Sequence, residues 1–355
     1  MRPKLSCHDD ISHLYFTCSN QKWWFFTVRP VANAPCAFTI LMAAITLILY
    51  FTFGTQQCET RVFMKGKHPV PVPYKVAYPY KYNFILDQSE KCQNNPFLVI
   101  IIPAAPNDVM ERNAIRNSWG NEKLLQEKHV VILFLLGLPS GENAKMQQAR
   151  IYQEDLRHHD LLQGDFIDSS KNMTIKTMVM LEWLRDRCPQ AYYAAKVDTD
   201  ILLNIRGLID MLLSPSIPQK NYLTGQVMLG NSIIRNPSSM FYIPPEVYSK
   251  SELPPYPLGK CYIMSMDMPA KILKASRVIQ PVLKDDIYIG LCLEQLRITP
   301  KDPPDPARFM FIPPKLYNRC YYSNLIAVII YTPPQLVSLW TDIHKPGPAC
   351  SSLSG

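Results

Sequence analysis

The chain has 355 residues, 47% hydrophobic and 19% charged, a balance that excludes intrinsic disorder and allows one large α/β domain with appendages. Its 37 lysines and arginines outnumber its 29 aspartates and glutamates, but they are scattered without a run of five, which argues against a nucleic-acid-binding role. The surplus accords with surface solubility, or with an anionic ligand.

In chain order, residues 1–35 are mixed polar and aromatic. Residues 36–53 form an uncharged run, apolar on every face, and crossing a bilayer takes about 20 such residues, so a transmembrane signal anchor is expected there. Charge does not orient it: Lys22 and Arg29 precede the run, and Arg61, Lys65 and Lys67 follow it. Residues 54–95 include His68-Pro-Val-Pro-Val-Pro-Tyr74, too proline-rich for a helix or central strand, and read as an extended stem. The folded domain is expected over 96–355, starting at Phe97–Pro103, a continuous apolar run of the kind found in strands buried on both faces. A second such run covers 130–137; helices are expected at 111–126 and 142–158. This alternation predicts an α/β sheet with parallel neighbours and a ligand site at the carboxyl ends of its strands.

The segment Ala191–Asn204 is an apolar strand ending in Asp198-Thr-Asp200. A two-residue period turns both carboxylates to one side, where they could share a hard cation through oxygen; a solvated turn or helix start is the alternative. Arg112 and Arg116, four apart, share a helical face suited to a phosphate, an acidic side chain or solvent. Trp119 alone reads as core, and His158-His159-Asp160 as a surface helix end. Asp285-Asp286 precedes an apolar run and reads as the start of a buried helix, where aspartate is favoured by capping and by the dipole. Seven cysteines follow residue 53, without the paired spacing of a zinc site; their odd number leaves at least one thiol free or bonded to another chain. Asn172-Met-Thr174 is a glycosylation acceptor, usable only in the secretory lumen.

Several of these stretches fall in the order of a known family. Arg112–Gly120, Asp165–Thr177, Lys196–Asn204 and Asp285–Gly290, followed by Cys292, Trp340 and Cys350, resemble the β-1,3-galactosyltransferase family, which includes related β-1,3-N-acetylglucosaminyltransferases. The resemblance implies a GT-A glycosyltransferase fold, a Rossmann-like mixed sheet flanked by helices, behind the transmembrane helix. It implies a single-pass type II protein of the Golgi membrane, with residues 1–35 cytoplasmic and the catalytic domain lumenal. It further implies UDP-galactose or UDP-N-acetylglucosamine as donor, Mn2+ as cofactor, a glycan acceptor on protein or lipid, and inverting transfer that forms a β-1,3 linkage. By position, Asp198 and Asp200 match the metal-binding triplet, and Asp286, with Asp285 beside it, matches the base. Arg112, Arg116, Trp119, Lys196 and Asp198 match the donor side.

The chain also departs from the family pattern. Pro254-Pro-Tyr-Pro-Leu-Gly-Lys-Cys-Tyr262 stands where relatives have Pro-Pro-Tyr-Cys-Ser-Gly-x-Gly-Tyr, so Pro257 replaces a cysteine and Cys261 a glycine. Ile329 stands where relatives carry a histidine that helps hold the metal. These changes motivate an alternative expectation, a catalytically impaired lumenal partner or chaperone. With isoleucine at 329, cation binding would rest on Asp198, Asp200, the diphosphate and water.

Overall fold

The structure is a computed structural model that describes residues 76–121, 128–239, 241–312, 316–347 and 349–350. The expected tail, the apolar run 36–53, the stem to residue 75 and Cys58 lie outside the described residues. Among the described residues no helix is long and apolar enough to cross a membrane.

The chain runs β1 (Phe84–Leu86), β2 (Leu98–Pro103), α1 (Val109–Arg116), β3 (Val130–Leu138), α2 (Ala144–His158), β4 (Leu161–Ile167) and α3 (Met173–Arg187). It continues through β5 (Tyr193–Val197), β6 (Ile201–Leu203), α4 (Ile205–Leu212), β7 (Leu223–Met228), β8 (Tyr256–Ser265), α5 (Met268–Ala275) and α6 (Asp285–Leu296). The last elements are β9 (Phe309–Met310), α7 (Arg319–Asn324), β10 (Ala327–Ile329) and α8 (Pro333–Ile343).

The two continuous apolar runs became β2 and β3, parallel neighbours with Leu98 opposite Val130. The large sheet is ordered β1-β4-β3-β2-β5-β8-β7. Its β4-β3-β2-β5 centre is parallel, as the strand–helix alternation predicts, while β1, β8 and β7 join antiparallel. Every residue of β2 is buried, and the period of two divides it between two cores. Val99 and Ile101 face the cluster under α3, α5 and α6; Leu98, Ile100 and Ile102 face the one under α1, α4 and α8. A smaller sheet, β6-β10-β9, belongs to the second cluster.

Helix α1 stops well short of the expected 111–126. The Ser118 hydroxyl donates back to the carbonyls of Ala114 and Ile115, competing with continued helix. Gly120 packs so closely on Ile115 that a Cβ there would lie 2.8 Å from the Ile115 carbonyl oxygen. Residues 122–127 of the expected helix lie outside the described residues.

Residues 76–95, read from composition as stem, pack onto the domain. Val76 and Tyr78 are buried, the Tyr78 hydroxyl lies 2.8 Å from Ser276 Oγ, β1 pairs with β4, and Cys92 is disulfide-bonded to Cys188. Cys320 pairs with Cys350. Cys261 and Cys292 are unpaired, and burial pushes each thiol up to about 12, so both stay protonated and unreactive at neutral pH.

Candidate active site

The site forms where β5 ends against the antiparallel strand β8. Val197 lies opposite Cys261, and the amide of Asp198 donates to the Lys260 carbonyl at 2.9 Å, so the two strands carry Lys196, Asp198, Gly259 and Lys260 to one place. Lys196 is buried; its ammonium donates to Asp198 Oδ1 at 2.8 Å and to the Gly259 carbonyl, and lies 3.8 Å from Asp285 Oδ2. Burial opposes its charge, but the carboxylates of Asp198 and Asp285 prevail and hold its pKa above the usual lysine value.

Helix α6 starts with the two aspartates, which serve different ends. Asp285 is buried and accepts from the Thr177 hydroxyl at 2.8 Å, tying α6 to α3. Thr174 reinforces that junction by donating to the Val282 carbonyl at 2.6 Å, so Thr174 and Thr177 together position the start of α6. Asp286 accepts from the amide of Ile287 at 2.8 Å and, at 3.3 Å, from that of Gly259. Burial, and then the neighbouring charge of Asp285, raise its pKa above the ordinary carboxylate range, which makes it a stronger base than a solvated aspartate.

Asp286, Asp285 and Asp198 line a cavity of about 540 Å3 together with Lys171, Lys196, Lys260 and Lys284. A proton acceptor flanked by four ammonium groups suits an anionic ligand carrying an electrophilic centre. Lys171, Lys260 and Lys284 were absent from the expected site residues. For Lys260 the available signal was its place in the 254–262 loop, at the family's unspecified position.

Asp198 and Asp200 do share a side, since one ammonium reaches both: Lys260 Nζ is 2.6 Å from Asp200 Oδ2 and 3.4 Å from Asp198 Oδ2. Asp200 Oδ1 is buried without a hydrogen-bond partner. Strand β10 brings Ile329 opposite Ile201, and the Ile330 amide donates to the Asp200 carbonyl at 2.8 Å, so position 329 adjoins the triplet. The protein alone does not offer the expected Mn2+ a complete donor set. A hard dication needs about six oxygen ligands. Here three of the four carboxylate oxygens face lysine ammonium groups, position 329 has no ligating atom, and among the described residues no group of three His, Cys, Asp or Glu side chains could hold a metal ion.

The structure brings Asp198, Asp200, Lys196, Asp285 and Asp286 together, but Arg112, Arg116 and Trp119 do not line the cavity. Arg112 is fully buried: Nε and Nη2 donate to Glu154 at 2.7 and 2.6 Å, Nη1 to the Ala105 carbonyl at 2.8 Å, and Nη2 also to the Pro106 carbonyl at 3.3 Å. Arg116 forms a two-point pair with Asp160 at 2.7 and 2.8 Å, reaches Glu154 at 2.7 Å and covers the Phe134 ring. The shared helical face was correctly inferred, but its partners are carboxylates of α2 and the following loop. Asp160, expected on the surface, turns inward to serve as one of them. Trp119 is buried, and its indole donates to the Ile201 carbonyl at 2.9 Å, bracing the strand directly after Asp200. Asn172 precedes α3 between Lys171 and Met173 of the cavity wall, and its side-chain amide donates to the Ile167 carbonyl.

A family model described as Galactosyltransferase matches residues 110–304, more than half of the chain and every residue lining the cavity. The chain belongs to the galactosyltransferase family. Among its relatives, beta-1,3-galactosyltransferase 2 of Homo sapiens is 37% identical over 269 residues, covering 75% of this chain and 63% of the relative. The Pongo abelii protein of the same name is also 37% identical, over 76% of this chain and 64% of its own length. The chain thus spans under two thirds of those relatives. Beta-1,3-galactosyltransferase 1 of Mus musculus is 35% identical over 75% of this chain and 80% of its own length. Among solved structures, a mannosyltransferase from Pyrobaculum calidifontis, in complex with GDP-Man and Mn2+, shares 12% identity over 81% of this chain and 71% of its own, at a TM-score of 0.32, too distant to bear on the galactosyltransferase-family site described here.

Proposed function

We propose that this chain is an inverting β-1,3-hexosyltransferase that moves galactose from UDP-galactose, in preference to N-acetylglucosamine from its UDP form, to a 3-hydroxyl of a glycan on protein or lipid. The observation that carries this reading is the single cavity holding both Asp286, with its raised pKa, and the ammonium groups of Lys171, Lys196, Lys260 and Lys284. Membership of the galactosyltransferase family and the mixed α/β sheet support a nucleotide-sugar fold of the GT-A type.

Inverting transfer is one in-line displacement at the anomeric carbon. Asp286 takes the proton of the acceptor hydroxyl as its oxygen bonds to that carbon, and the bond to the diphosphate breaks with both electrons leaving on UDP. The lysines oppose the charge that develops on the departing diphosphate. Thr177 and Lys196 hold Asp285, and the Gly259 amide holds Asp286, so the base is oriented before substrate arrives.

The experiment is incubation of the full chain with labelled UDP-galactose or UDP-N-acetylglucosamine and a panel of sugar acceptors. Transfer from UDP-galactose with inversion is the expected result. UDP binding without transfer to any acceptor would instead favour the catalytically impaired partner, a reading motivated by Ile329 and Pro257. We place the protein in the Golgi membrane, anchored by residues 36–53 with the catalytic domain lumenal. In secretory cells Asn172 is then the expected N-glycan site, and an endoglycosidase-sensitive mass shift that survives Asn172→Gln would overturn that assignment.

A further inference from the structure

The two lysines beside the aspartate triplet are held very differently. Lys196 is buried and committed to Asp198, Asp285 and the Gly259 carbonyl. Lys260 lines the cavity with its side chain 34% exposed. An ammonium has three N–H donors, and Asp200 and Asp198 engage Lys260 from one side only, at 2.6 and 3.4 Å, leaving donor capacity towards the cavity. An ordinary lysine side chain is charged at neutral pH, so the group enters the cavity as an ammonium. Its backbone is fixed: the Lys260 carbonyl accepts from the Asp198 amide at 2.9 Å, and β8 lies between β5 and β7. Position 329, where the family carries a metal-holding histidine, adjoins the same triplet and offers only an isoleucine side chain.

We propose that Lys260 is the resident cation of this site: its ammonium stands against Asp198 and Asp200 where relatives hold a divalent ion, and it donates to the diphosphate of the incoming nucleotide, so that donor binding needs no metal. This rests on the nucleotide-sugar reading above. Asp198 and Asp200 then act as positioning residues that aim Lys260. Lysine is suited to the task as a compact charge that contacts phosphate oxygens without demanding a fixed geometry.

The test is calorimetric titration of UDP into the full chain, in EDTA and again in Mn2+. Wild type is expected to bind UDP equally in both. Lys260→Gln is expected to lose about tenfold or more of that affinity in EDTA and to recover part of it in Mn2+, because Asp198 and Asp200 are released to ligate; Lys260→Arg, which keeps the charge, should retain metal-free binding. A second readout is Mn2+ binding without nucleotide, followed by electron paramagnetic resonance, absent in wild type and present in Lys260→Gln. Wild-type UDP binding that requires Mn2+ would leave the donor reading intact and overturn the lysine proposal, as would unchanged affinity in Lys260→Gln. Failure of wild type to bind UDP in either buffer would remove the donor reading and the proposal together. If Lys260→Gln does not fold, the comparison of buffers on wild type can still overturn the proposal, and Lys260→Ala read in the same two buffers tests the role of the lysine itself.

Discussion

Asp286→Asn is expected to lower kcat by about 100-fold or more while changing UDP affinity by no more than about twofold. The amide keeps the size of the carboxylate, and its single oxygen can still accept from the amide of Ile287, giving up only the longer 3.3 Å contact with Gly259, so the mouth of the cavity should change little. What it loses is basicity, which matters only as the acceptor proton moves. The pH profile of wild type follows from the same residue. The ionised form is the active one, and burial together with Asp285 raises the Asp286 pKa. Turnover should therefore decline with acidification at a pH above that of an ordinary aspartate, and this acid limb should vanish from the residual activity of Asp286→Asn. Near-normal turnover in the variant would exclude Asp286 as the base.

Arg112→Met is expected to cost about 3–5 kcal/mol of stability, the usual penalty for breaking a buried ion pair and leaving one partner behind, and so to lower Tm by roughly ten degrees. Glu154 would keep only Arg116, the Pro106 carbonyl would lose the arginine donor, and the Ala105 carbonyl would keep only the Asp108 amide. The UDP affinity of the folded protein should be unaffected, because Arg112 does not line the cavity. A donor-binding arginine would behave in the opposite way, with affinity lost and Tm held. Acid titration offers a companion measurement. Burial opposes the Glu154 charge, but Arg112 and Arg116 overcome it and hold its pKa below the usual glutamate value. Its contribution is therefore present above the unfolded-state pKa and is lost as pH falls through the lower, folded one.

The parts of the fold that could be read from the chain were those whose signal is local. The apolar runs at 97–103 and 130–137 could be buried only by covering both faces, and they became β2 and β3. The paired aspartates at the end of β5 and at the start of α6 were legible for the same reason, because strand period and helix-start chemistry act over a few residues. Partners at long range were not legible. Nothing in the spacing of Arg112 and Arg116 distinguishes phosphate from Glu154 and Asp160, 42 and 44 residues further on. Nor does the proline content of 54–95 reveal that Tyr78 reaches Ser276 across 198 residues. Lys260 escaped because it belongs to a strand whose antiparallel insertion breaks the parallel pattern, and that insertion alone sets it against Asp200.

That insertion also bears on how the chain reaches its native state. Among the described residues strand β8 lies between β5 and β7 in the large sheet, and its Lys260 meets Asp200 at a sequence separation of 60. Residues 256–265 are synthesised after every strand of the parallel centre, so the pairing of β8 with β5 comes late on the growing chain. Until residues 256–265 arrive, β5 is an open edge made of Tyr193-Ala-Ala-Lys-Val197, largely apolar and able to template foreign strands. A ribosome-bound intermediate ending before β8 would have four parallel strands in place, an incomplete cavity and one adhesive border, open until β8 closes it.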